Sequence, residues 1–187
     1  MYETHPRPYA EAGFGYPESG QSVINVSNGK LTRLSVDDEL FDVRTGVLRS
    51  HRMTLDFRTG ELRRELEWES PVGRAIKLIS SRIVSFTQRS VAAVNYEVEV
   101  LGVPTRVVLQ SELIANEPLP PQTADPRGSW GLTDVLVGTL GRSDGLWMAL
   151  THITRGSGLT VAAVMDHIVA GPEGTGRVRR ARQIWGD

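Results

Sequence analysis

The chain has 187 residues, 40% of them hydrophobic and 23% charged, which suits one folded domain with an ordinary core and excludes a disordered chain. Twenty-one Lys and Arg against 22 Asp and Glu leave a formal net charge of -1, so the broad positive field of a nucleic-acid binder is missing. Without cysteine there is neither a disulfide framework nor a thiolate metal site.

The first twenty residues, MYETHPRPYAEAGFGYPESG, lack the basic start and apolar run of a secretory signal, and no later stretch is apolar for the length of a membrane span. A cytoplasmic address, with neither membrane nor nucleic acid as partner, is the expectation. Asn28-Gly29, between SVINVS and KLTRLSV, predicts a hairpin turn, and Asp37-Asp38-Glu39 reads as a turn because it lacks the ligand spacing of a calcium loop.

FDVRTGVLR at 41–49 and LDFRTGELR at 55–63 form a weak repeat, read as two successive hairpins around Thr-Gly. Met53, Leu55 and Phe57 alternate with Arg52, Thr54, Asp56 and Arg58, as in a strand with one face buried. Glu65, Glu67 and Glu69 alternate with Leu66 and Trp68; the row could bind sugar or a cation, but a solvated outer face offset by Arg63 explains it better.

Period-two patterning continues with Val94, Tyr96, Val98 and Val100 against Asn95, Glu97 and Glu99, and with Val107, Leu109 and Leu113 against Arg106, Gln110 and Glu112. Residues 117–131, EPLPPQTADPRGSWG, predict a long Pro/Gly-rich surface loop. Asp144-Gly145 predicts a turn before LWMALTHI, and one more strand is predicted within the last seventeen residues. No window carries a sustained helical stripe. The fold class is therefore all-β and mainly antiparallel, a single β-sandwich domain over 1–187 with little helix.

Candidate chemistry is sparse. His5, His51, His152 and His167 are scattered at spacings that do not make a metal site, and Asp166 and His167 are expected at the surface or a strand end. There is no nucleophile elbow, and the glycines of RSDGL, RGSGL and GPEGTG match neither the dinucleotide nor the nucleotide-phosphate pattern. The arginines at 177, 179, 180 and 182 read as a charged strand or tail rather than a phosphate site. Among Trp68, Trp130, Trp147 and Trp185, the apolar surroundings of Trp68 and Trp147 place them in the core, which leaves Trp130 and Trp185 as candidate sugar contacts.

YPESGQSVINVSNGKLTRLSVDDELFDVRTG, LDFRTGELRRELEWESPVGRAIKLISSRIVSFTQRSVAAVNYEVEVL and VVLQSELIANE resemble the N-terminal domain of glycoside hydrolase family 65, with an echo in RGSGLTVAAVMDH. That family includes maltose, trehalose and kojibiose phosphorylases and trehalose hydrolases. The resemblance implies an antiparallel β-sandwich, agreeing with the period-two reading. It also implies that catalysis belongs to a helical α/α barrel elsewhere in a parent polypeptide, so that no catalytic residue carries over to this chain. The family's Gly-Asn-Gly-rich opening segment has no counterpart here. The expected function is a non-catalytic structural or interaction domain supporting that barrel or a homodimer, the isolated chain being inactive. No cofactor is expected, inorganic phosphate being a co-substrate of the parent if that is a phosphorylase. The alternative is a carbohydrate-binding sandwich that recognises sugars through exposed Trp.

Overall fold

The computed structural model describes residues 2–6, 18–117, 135–171 and 183–185. Within them the backbone forms strands and no helix: β1 (Tyr2–Pro6), β2 (Ser19–Val23), β3 (Asn28–Val36), β4 (Glu39–Leu40), β5 (Val47–Asp56), β6 (Glu61–Glu69), β7 (Ala75–Val84), β8 (Ala92–Leu101), β9 (Val107–Ala115), β10 (Leu136–Asp144), β11 (Trp147–Thr154), β12 (Thr160–Met165) and β13 (Gln183–Trp185). They make sheets ordered β1-β2, β10-β11-β12, β13-β9-β3-β4 and β5-β6-β7-β8. The registered pairs are antiparallel except β13 with β9, which is parallel. The expected all-β, mainly antiparallel sandwich is what the chain forms.

Two compact units divide the chain, Thr32–Gln110 and the combination of Met1–Leu31 with Ser111–Asp187. In Thr32–Gln110 the meander β5-β6-β7-β8 is covered on one face by Leu34 and Val36 of β3 and by Val107 of β9. Period-two alternation aims Leu66 and Trp68 of β6 and Ile76 and Leu78 of β7 into that layer, where all four are buried. Each contributes about 1.5–3 kcal/mol by leaving water. In the other unit Leu113 and Ala115 of β9, with Ile24, pack against Leu136, Met148 and Leu150 of β10 and β11. Each unit is thus two layers around its own apolar core.

Several local expectations change. Asn28-Gly29 is not a hairpin turn but the start of β3, and β2 pairs with β1 instead. The Asn28 amide is held by Glu117, to which Nδ2 donates at 2.7 Å, and its Oδ1 accepts from the Lys30 amide at 3.0 Å, which outweighs the local turn preference. Of the two Thr-Gly sites, only Thr59-Gly60 closes a hairpin, between β5 and β6; Thr45-Gly46 lies on the connection from β4 to β5, which belong to different sheets. All ten residues of β5 are exposed, so Met53 and Leu55 do not line a buried face. In β9 the polar Glu112 is buried beside Leu113 while Leu109 is exposed, against the simple alternation.

The Asp37-Asp38 turn is present, both residues adopting positive φ (48° and 70°), and Gly145-Leu146 joins β10 to β11 where Asp144 pairs with Trp147. β13 supplies the expected terminal strand. Of the predicted loop only Glu117 falls within the described residues, and the arginines from 177 to 182 lie outside them.

Candidate functional site

The carboxylate row on β6 shows what this sheet can do chemically. Its registers set Arg52, Glu65, Ile79 and Glu97 side by side on the face turned away from the core, with Ser50, Glu67, Lys77 and Glu99 in the next row. A shallow depression there is lined by Ser50, His51, Arg52, Glu65, Glu67 and Lys77. Arg63 pairs with Glu65 at 2.6 Å, and Arg49 pairs with Glu69. The hydrogen bond from Arg63 is the chief cause holding the Glu65 carboxyl below its usual range. Glycoside cleavage needs a carboxylic acid whose pKa is raised so that it can protonate the leaving oxygen, and Glu65 is shifted the opposite way. The row is a solvated, charge-balanced face.

A second constellation was not legible in the sequence. His167 follows β12 and is half-buried, its Nδ1 lying 2.6 Å from the Leu146 carbonyl and its Nε2 lying 2.9 Å from Ser111 Oγ on β9. A carbonyl only accepts, so Nδ1 carries the proton and Nε2 accepts from the Ser111 hydroxyl. That hydroxyl also lies 3.8 Å from Met165 Sδ. His167 stands at a strand end, where, half-buried, it ties β9, the β10–β11 turn and the end of β12 together. Asp166 is exposed, as expected.

Buried polar groups elsewhere serve the same end. Glu3 of β1 is buried and accepts from the Ser157 amide at 2.9 Å and from the Ser157 hydroxyl. These bonds, the hydroxyl's foremost, hold its pKa below the ordinary value. His152 is fully buried, and desolvation pushes its pKa down. Among the described residues no three His, Asp or Glu side chains gather as metal ligands.

Trp68 is fully buried, its ring edge-on to Phe41 with centroids 5.2 Å apart and planes at 82°. Trp147 is half-buried on β11. Of the two candidate sugar contacts, Trp130 lies outside the described residues and Trp185 is placed only as backbone, pairing with Ala115. No helix among the described residues is long and apolar enough to cross a membrane.

Residues 1–185 match the family described as "Glycosyl hydrolase family 65, N-terminal domain". An uncharacterized glycosyl hydrolase of Mycobacterium tuberculosis (strain ATCC 25618 / H37Rv) is 49% identical over 172 residues, covering 92% of this chain and 22% of that protein. The alpha,alpha-trehalose phosphorylase of Thermoanaerobacter brockii is 28% identical over 170 residues, covering 90% of this chain and 22% of the enzyme. A solved chain from the human microbiome, provisionally assigned as a kojibiose phosphorylase, superposes with a TM-score of 0.73 at 22% identity, over 88% of this chain and 20% of its own length, and so shares the fold. The chain spans about a fifth of the length of these relatives. It belongs to glycosyl hydrolase family 65, whose N-terminal domain it matches over residues 1–185.

Proposed function

We propose that this chain is the non-catalytic N-terminal domain of an enzyme that cleaves an α-linked disaccharide of the trehalose or maltose type, and that it supports the catalytic segment or a homodimer of that parent. The carrying observation is the match to the family's N-terminal domain over 1–185, joined to a share of only 22% in relatives named as glycosyl hydrolase or trehalose phosphorylase. The chemistry of the described carboxylates is consistent with it, since Glu65 and Glu3 are stabilised as anions rather than poised as acids. Sugar binding, phosphate binding and proton transfer belong in this reading to the parent's remaining segment, in the cytoplasm.

The support role follows from architecture. A disaccharide pocket must narrow around its substrate, and a rigid two-layered sheet beside a helical barrel can wall that pocket or brace its subunits with apolar surface alone. The test is the parent polypeptide with these 187 residues removed. Loss of soluble, active enzyme is the expected result; undiminished solubility and turnover would overturn the reading.

A further inference from the structure

β5 is an edge strand of the β5–β8 sheet, and all ten of its residues are exposed. A long open edge offers a row of backbone donors and acceptors to any strand that fits it, and proteins blunt such edges with bulges, proline or repeated charge. The irregularity of β5 lies at Arg49, where its register with β6 shifts between Leu48 and Ser50. From Ser50 to Asp56 the strand is regular, has no proline, and carries one arginine and one aspartate, Arg52 and Asp56.

Alternation puts Ser50, Arg52, Thr54 and Asp56 on the face turned away from the core, and His51, Met53 and Leu55 on the core side. Neither charge is well matched within its own sheet. Arg52 faces Glu65, which already pairs with Arg63 at 2.6 Å, and Asp56 faces Glu61, carboxylate against carboxylate. Asp56 Oδ1 accepts from the Arg58 amide at 2.8 Å, which leaves Oδ2 for a cation.

Two copies of β5 match both charges when they pair antiparallel about a two-fold axis through Thr54. Arg52 of each copy then stands opposite Asp56 of the other on the outward face, and Met53 stands opposite Leu55 on the core side. A shift by one residue would set the outward face against the core face. Centring on Arg52 would put guanidinium against guanidinium, and centring on Met53 would leave Arg52 opposite Thr54. The other edge of the sheet, β8, lacks this property, since pairing two copies about Val98 sets Glu97 against Glu99. In β5 both members of each pair come from one strand, a complementarity that a two-fold copy uses and a strand of another sequence does not.

We propose that β5 is the contact of a two-fold homodimer, in which the β5–β8 sheets of two copies join antiparallel across Thr54 into one continuous sheet. The proposal rests on the homodimer named in the function above and gives that dimer a place and a register.

Sedimentation equilibrium of the chain at about 100 micromolar is expected to give twice the 20.6 kDa of one copy. Arg52→Asp and Asp56→Arg each set like charges opposite one another twice and are expected to weaken the dimer at least about tenfold, while the two together exchange the charges and restore it. The chain has no cysteine, so Thr54→Cys adds a lone thiol on the axis. Opposed residues of an antiparallel pair lie within disulfide reach, so this variant is expected to oxidise to a covalent dimer at least about tenfold faster than Asn95→Cys on the β8 edge. Circular dichroism checks the folding of each charge variant, and where one unfolds the two thiol variants decide. A monomeric chain would sink this proposal and leave the non-catalytic reading standing, which the truncated parent tests separately. A dimer indifferent to both single reversals, or Thr54→Cys no faster than Asn95→Cys, would overturn the contact. A mass climbing past two copies, as head-to-tail pairing of β5 with β8 would give, would overturn it as well.

Discussion

The indole Nε1 of Trp68 donates to the Thr45 carbonyl at 2.7 Å, joining the buried face of β6 to the connection that enters β5, the edge strand of the same sheet. Gly46 follows at φ 73°, where a Cβ would stand 2.3 Å from the Glu69 carbonyl oxygen and 3.0 Å from that same indole nitrogen. Trp68→Phe is expected to cost about 2 kcal/mol in urea unfolding followed by far-ultraviolet circular dichroism, through lost volume and an unpaired acceptor. Trp68→Ala should cost about 3–5 kcal/mol. Gly46→Ala should destabilise as well, since it meets both the left-handed backbone penalty of about 1–2 kcal/mol and the clash. A Trp68→Phe protein as stable as the wild type would show that the bond to Thr45 does not form.

Glu3 makes acid stability a test of how β1 is held. Its pKa lies below the ordinary 4.5, chiefly because the Ser157 hydroxyl donates to the carboxylate. A depressed folded pKa stabilises the fold above the unfolded value, and that contribution is lost as pH falls through the folded one. The wild type should therefore exceed Glu3→Gln in stability at neutral pH, and the gap should close as the pH drops below about 4.5. A gap that is constant with pH would mean Glu3 is not ionised in the native state.

The Ser111–His167 contact fixes a tautomer. Nitrogen NMR of the neutral His167 ring should report the Nδ1–H tautomer, because Nδ1 faces the Leu146 carbonyl. Ser111→Ala and His167→Ala should each destabilise by about 1 kcal/mol and show coupling in a double-mutant cycle. An Nε2–H tautomer, or fully additive single effects, would contradict the clasp.

Sugar recognition is separable by calorimetry. With Trp68 in the core and the Glu65 row paired with arginine, titration of the chain with maltose or trehalose at millimolar concentration should give no binding heat. Saturable heat that disappears on Trp130→Ala or Trp185→Ala would instead establish a carbohydrate-binding sandwich.

Strand identity was legible wherever alternation governed burial: Leu66 and Trp68 point inward and Glu65 and Glu67 outward, as their spacing requires. Alternation specifies which face a residue shares, not whether a second layer covers it. Met53 and Leu55 lie on the core side of their sheet yet remain exposed, because β5 is its edge strand and is exposed along all ten residues, including Leu48 and His51 opposite the buried Trp68 and Leu66. Long-range polar contacts were illegible for a different reason. Glu117 reaches Asn28 across 89 positions and His167 reaches Ser111 across 56, separations that leave no periodic trace.

Turnover by the isolated chain tests the central claim most directly. Purified chain incubated with trehalose, maltose and kojibiose, with and without inorganic phosphate, should release neither glucose nor glucose phosphate above the buffer control. Release that rises in proportion to chain concentration would contradict a non-catalytic domain.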